Sequence, residues 1–293
     1  MRRLAASLLA GLTLVAPAAA RQTAVDVQSL MTTPVWLYNG ARLVSQGTGF
    51  FYGNLRPDGT AATVFLVTNY HVVTGHAPKV SAPRSGDRIH FALHKDANEL
   101  ETFSEFELPL YDVHDDPIWA SSDAYPDADV VLVPLPTRML PLYVFTEAHT
   151  RGDIKIRPTS GATLLGYPYG FFDREHLLPI WKTGHVASEP DVDFEGEPTF
   201  LVDVSVFPGM SGSPVLAVAT GIYESEDGVM RSGRVLKLLG IFSSMPVVRP
   251  TARSISSTGS TDVSPPTAEV SLQLGYVWKA ALIADIARGY RPR

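Results

Sequence analysis

Beyond about residue 20, the apolar positions of this chain fall in short runs cut by turn residues rather than in long helical periods. Runs at residues 35–38, 49–52, 64–68, 89–93, 130–133, 163–165, 182–188, 199–205, 215–218, 235–243 and 272–278 predict strands. Short strands punctuated by Gly, Pro, Asn and Asp are the pattern of a sandwich or a barrel. The clearest helical spacing lies at 277–289, where Gly289 supplies a stop. Two polar stretches read as loops, a hairpin tip at 223–233 and a mobile Ser/Thr/Pro-rich segment at 250–266. No repeat is visible.

Composition narrows the class. The 293 residues include 23 Gly and 23 Pro with 45% hydrophobic content, which fits a folded, turn-rich protein. The formal net charge is −6 and no Lys/Arg block occurs, so nucleic acid is not an expected partner. The absence of cysteine removes disulfides, thiol nucleophiles and Cys–Zn sites. At the N-terminus, Arg2-Arg3, an apolar run at 4–15 and Ala18-Ala19-Ala20 have the layout of a signal peptide over residues 1–20, with the mature chain from 21. An uncleaved anchor is the alternative; after cleavage no stable membrane span is expected. An exported chain without disulfides suits a bacterial periplasmic or secreted protein.

Candidate chemistry centres on Phe207-Pro208-Gly209-Met210-Ser211-Gly212-Ser213-Pro214. Small neighbours let the backbone turn sharply around Ser211 and let a substrate carbonyl approach its hydroxyl. The Gly209 and Ser211 amides are positioned to share one concavity and hold an oxyanion. Ordinary turns have the same composition, so the reading needs a base and an acid. His71 follows a very apolar strand in Phe65-Leu66-Val67-Thr68-Asn69-Tyr70-His71, and imidazole is the usual proton acceptor for a serine. The other seven histidines read as structural, and a zinc reading of His71 with His76 lacks the H-E-x-x-H pattern. In Asp127-Ala128-Asp129-Val130-Val131, Asp129 abuts a strand and would orient the imidazole; Asp127 is the alternative. The order His71, Asp129, Ser211 differs from those of subtilisins and α/β-hydrolases.

With these motifs in order, the chain resembles the chymotrypsin-like (trypsin-like) serine peptidases, within them the disulfide-free bacterial type related to the Deg (high-temperature-requirement) protease domain, without its PDZ domains. Gly47-Thr48-Gly49-Phe50-Phe51 is similar to the family's small-residue strand, and Leu164-Leu165-Gly166-Tyr167-Pro168 to the turn opening its second barrel. Asp203 to Pro214 resembles its nucleophile loop, and Leu239-Gly240-Ile241-Phe242-Ser243 its substrate-binding strand. The resemblance implies an all-β protein of two six-stranded antiparallel β-barrels with a short C-terminal helix. The protease domain would span 21–293, with barrels at about 30–140 and 155–280 and a closing helix at about 279–289. It implies a serine endopeptidase acting on protein or peptide substrates through His71, Asp129 and Ser211, needing no metal or cofactor. It also implies oxyanion donors at Gly209 and Ser211. Ser205 would sit near the base of the primary pocket, with Ser243, Ser244 and Met245 at its edge. No acid falls at that base, so the expected preference is for small or medium apolar side chains. Met210 stands where trypsin-type enzymes carry an activating aspartate, and Ser213 replaces a glycine. A catalytically silent barrel used as a protein-binding module is the alternative function.

Overall fold

The computed structural model describes residues 25–55, 61–141, 143–248, 253–255, 261–263 and 270–292. The expected leader at 1–20, and most of 250–266, lie outside them. Among the described residues no helix is long and apolar enough to cross a membrane.

A short helix, α1 (Val27–Leu30), leads into the first sheet. Its strands are β1 (Thr32–Asn39), β2 (Arg42–Leu55), β3 (Ala61–Thr68), β4 (Arg88–His94), β5 (Phe103–Pro109) and β6 (Val131–Pro134). They lie in the order β5-β4-β1-β2-β3-β6, every pair antiparallel. Residues 111–120 add single bridges, Tyr111 with Pro117 within the segment and Ala120 with Leu132 of β6. The second sheet is a closed barrel. Its first five strands are β7 (Gly161–Gly166), β8 (Ile180–Val186), β9 (Thr199–Asp203), β10 (Pro214–Glu224) and β11 (Met230–Phe242). Two short pairs follow: β12 (Val247–Val248) with β15 (Val270–Ser271), and β13 (Arg253–Ile255) with β14 (Thr261–Val263). The barrel is completed by β16 (Leu274–Lys279), giving the order β10-β11-β16-β9-β8-β7. This is the all-β, two-barrel, chymotrypsin-like architecture that the resemblance implied.

Successive side chains of a strand point to opposite faces, and here both faces of the central strands are covered. In β3, Phe65 and Val67 enter a core shared with Leu165, Leu216, Leu238, Ile241 and Trp278 of the second barrel. Leu66 between them faces the interior of the first barrel with Val35, Leu37, Ile89 and Phe91. In β6, Leu132 and its neighbours Val131 and Val133 divide the same way. That double burial is why these segments read as continuous apolar runs rather than alternations. A third cluster, including Leu164, Val202, Val215 and Val277, fills the second barrel. The closing helix spans Ala280–Gly289. It lays Leu282, Ile283 and Ile286 into the inter-barrel core, and Asn54 of β2 donates to the Ala287 carbonyl at 3.2 Å. The cleft between the barrels is therefore walled by their packed cores.

The strand at 103–109 was not foreseen. Its FSEFELP pattern alternates along a mostly exposed edge and gives no apolar run. The expected tip at 223–233 is narrower than predicted, because β10 and β11 stay paired out to Glu224 and Met230. Their outer ladder is held by backbone hydrogen bonds while Ile222, Met230 and the flanking polar side chains face solvent.

Candidate active site

The two ends of β3 and β6 meet at the cleft. After Thr68 the chain passes through extended Asn69 into the single turn α2 (Tyr70–Thr74), whose Val72 and Val73 are buried in the first barrel and fix the turn. Asn69 does not cap that turn; its Nδ2–H donates to the Asp129 carbonyl at 2.6 Å and ties α2 to the start of β6. His71 is thereby set against Asp129. Its Nδ1 lies 2.7 Å from Asp129 Oδ2, and its backbone N–H donates to Oδ1 at 3.0 Å. An ionised carboxylate only accepts, so Nδ1 carries the proton and Nε2 is left with its lone pair.

Asp129 is 8% exposed. Burial alone would raise its pKa. The hydrogen bond and charge of His71 and the Ser243 hydroxyl outweigh burial and hold the carboxyl below its ordinary value. Asp127, the alternative acid, faces solvent and pairs with Lys79 at 3.4 Å.

Ser211 lies on the turn between β9 and β10. Pro208 and Gly209 form its first corner, with Met210 N–H donating to the Phe207 carbonyl at 3.1 Å. Gly209 has φ +93°, and a Cβ there would meet the Tyr167 carbonyl at 2.5 Å. Gly212 has φ +90°, and a Cβ there would lie 1.9 Å from the Thr48 carbonyl. Both positions demand glycine on conformation and on space. The Pro208 carbonyl accepts from Tyr169 N–H at 2.6 Å, and the Met210 carbonyl from Ser213 N–H at 3.0 Å. In a trans peptide C=O and N–H point oppositely, so the Gly209 and Ser211 amides face away from these partners. Among the described residues neither amide has an acceptor.

Thr48 of β2 clamps this turn from the first barrel. Its N–H donates to the Ser211 carbonyl at 2.8 Å and its hydroxyl to the Gly209 carbonyl at 2.8 Å. This explains the glycine at 47, where the Ser211 loop lies directly against the strand; a Cβ on Gly49 would instead meet Leu66 and Val35 inside the first barrel. A Cβ on Gly47 would stand 2.7 Å from Val72 and 3.1 Å from the Ser211 carbonyl.

Ser243 follows β11 and has a role that sequence reasoning missed. It was expected at a pocket edge; it lines the cavity beside His71, is 4% exposed, and its hydroxyl donates to Asp129 Oδ2 at 2.6 Å. Its carbonyl accepts the Ser211 hydroxyl at 3.0 Å. No hydrogen bond joins Ser211 to His71 among the described residues; His71 is paired with Asp129 while the Ser211 hydroxyl rests on a neighbouring carbonyl. Hydrogen bonds to a nucleophile are often loose without substrate. The other expected pocket residues are less committed: Ser205 and Ser244 are exposed, and Met245 is half-buried against the second-barrel core. Met210 is fully buried in that core. Ser213 is also fully buried, keeps a negative φ, and its hydroxyl has no partner.

Several of the remaining histidines have local partners. His94 is buried and its Nε2 lies 2.7 Å from the His176 carbonyl; burial lowers its pKa. His149 accepts the Thr146 N–H through Nδ1 at 3.0 Å. The one group of side chains spaced to hold a metal among the described residues is Glu101, Glu175 and His176, largely exposed. His176 Nδ1 is engaged by Asp173 at 2.8 Å, and nothing links this group to His71.

The family model of the trypsin-like peptidase domain matches residues 47–222, a span that holds His71, Asp129 and Ser211. No curated protein matches the chain. Solved structures similar to it include Rv3671c from M. tuberculosis in an inactive form, at 16% identity over 91% of both chains with a TM-score of 0.44. A serine endoprotease from Yersinia pestis has 14% identity over 89% of this chain and 64% of that one, TM-score 0.44. Tobacco etch virus protease complexed with product has 12% identity over 74% and 69%, TM-score 0.42.

Proposed function

The chain belongs to the trypsin-like peptidase domain family, and on that premise we propose that it is a serine endopeptidase with His71 as base, Asp129 as orienting acid and Ser211 as nucleophile. The observation that carries this reading is the 2.7 Å pair of His71 Nδ1 with a buried carboxylate, which leaves Nε2 as the ring nitrogen able to take a proton. Catalysis begins when the Ser211 hydroxyl turns from the Ser243 carbonyl towards His71. Oγ then attacks the peptide carbonyl as its proton passes to Nε2. The Gly209 and Ser211 amides hold the oxyanion, and Asp129 stabilises the imidazolium through Nδ1–H. The imidazolium returns its proton to the leaving amine. Water, deprotonated by the same nitrogen, then frees the acid product and restores Ser211.

A second reading, a catalytically silent barrel that binds proteins, is favoured by one observation, the Ser211 hydroxyl resting on Ser243. Digestion of a pool of internally quenched peptides separates the two. The endopeptidase reading expects cleavage that falls at least about 10³-fold in Ser211→Ala. Peptide binding without turnover by folded wild type would replace it with the binding module. We further propose, from Arg2-Arg3, the apolar run and Ala18-Ala19-Ala20, that the protein is exported.

A further inference from the structure

Beside His71, on the wall formed by residues 194–199, Ser244 and β16, lies a cavity of about 560 Å³. It shares Ser243 and Ser244 with the expected edge of the primary pocket, but Ser205, expected at that pocket's base, and Met245 do not line it, so it extends to the His71 side of that pocket. Aromatic surface dominates one side. Phe194 meets Tyr276 edge-on with ring centroids 6.0 Å apart, and Trp278 lies beneath. Two carboxylates, Glu195 and Glu197, stand at the rim, and neither forms an ion pair among the described residues. Lys279 is engaged with Asp193 at 2.6 Å and Lys79 with Asp127 at 3.4 Å. His71 and His76 also line the cavity, and His71 is committed to Asp129. Glu195 is close enough to Tyr276 to help burial raise the phenol's pKa, which places negative charge beside the aromatic wall. Glu195 is held at φ +57°, a conformation a side-chain-bearing residue rarely adopts, on a one-turn 3₁₀ segment over the cleft.

An aromatic wall under free carboxylates complements one kind of side chain. A lysine or arginine lays its methylene stem on the rings and brings its cationic head to the acids. We propose that this cavity is a subsite for a basic residue of the substrate, at a position flanking the scissile bond other than the residue whose carbonyl is attacked. The inference rests on the peptidase reading and adds its substrate class: peptides with an apolar residue at the cleaved carbonyl and a Lys or Arg seated beside it. A purely apolar side chain would reach the rings and leave Glu195 and Glu197 unanswered.

The test is a set of internally quenched peptides in which each flanking position in turn holds Lys, Arg, norleucine or Glu. Wild type should cleave the Lys peptide about tenfold faster than the norleucine peptide, in kcat/KM, at one such position. The ratio should fall towards one in Glu195→Gln/Glu197→Gln, and Glu197→Lys should shift the preference towards Glu. A ratio near one in an active wild type overturns the subsite and leaves the peptidase reading standing, as does a Lys preference that survives the double substitution. Absence of both cleavage and Ser211-dependent fluorophosphonate labelling overturns the peptidase reading and the subsite with it.

Discussion

Replacing Ser243 by alanine removes one of three donors from a buried carboxylate. Asp129 Oδ2 takes both the Ser243 hydroxyl at 2.6 Å and His71 Nδ1 at 2.7 Å, while Oδ1 takes the His71 backbone amide at 3.0 Å. A hydrogen bond to a charged group contributes about 1.5–3 kcal/mol, against about 1 kcal/mol for a neutral one. Both residues are buried, so solvent replaces the lost donor only in part. Ser243→Ala should therefore cost about 1.5–3 kcal/mol at pH 7. The cost must depend on pH, and its direction follows from the depressed pKa of Asp129. A carboxyl whose folded pKa lies below its unfolded one stabilises the fold above the unfolded value of about 3.9. That contribution is lost as pH falls through the folded value. Losing the Ser243 donor raises the folded pKa, so the variant should unfold at a higher pH than wild type in acid. Urea titrations at a series of pH values from 7 downwards measure both effects, and the penalty should shrink towards about 1 kcal/mol once the pH passes below the folded pKa of Asp129. A penalty below about 0.5 kcal/mol at pH 7, or one that nowhere shrinks as the pH is lowered to acid unfolding, would refute the assignment of this hydroxyl to an ionised Asp129.

Three further outcomes are expected. Asp129→Asn keeps the shape of the site but reverses the preferred imidazole tautomer, so kcat on a quenched peptide should drop about 10⁴-fold with the fold retained by circular dichroism. Gly212→Ala forces a side chain into φ +90° and against the Thr48 carbonyl at 1.9 Å, and should cost more than about 3 kcal/mol in chemical denaturation. Ser213→Ala removes a buried hydroxyl that has no partner and should stabilise the protein by about 1 kcal/mol in the same assay.

The elements that sequence reasoning found are those whose burial leaves a mark on composition. Residues 64–68 and 130–133 were legible because both faces of β3 and β6 are packed, one on each core. The outer ladder of β10 and β11 and the edge strand β5 were not, since backbone hydrogen bonds hold them and their side chains are mostly exposed. At the site, strand-end position was enough to bring His71 and Asp129 forward, and abutting the apolar run separated Asp129 from solvent-facing Asp127. The resemblance placed Ser243 at a pocket edge; that its hydroxyl also reaches Asp129 depends on how the end of β11 meets the first barrel, which no local pattern records. Thr48 was noticed as part of a small-residue strand, whereas its contacts with the nucleophile loop depend on how two distant barrels meet.

The most direct measurement is covalent labelling of the folded, leader-free protein with a fluorophosphonate, located by mass spectrometry of the digested adduct. A single adduct on Ser211 is expected, abolished in Ser211→Ala and strongly slowed in His71→Ala. A folded wild-type protein that takes up no label, or label that persists in Ser211→Ala, would contradict Ser211 as an activated nucleophile.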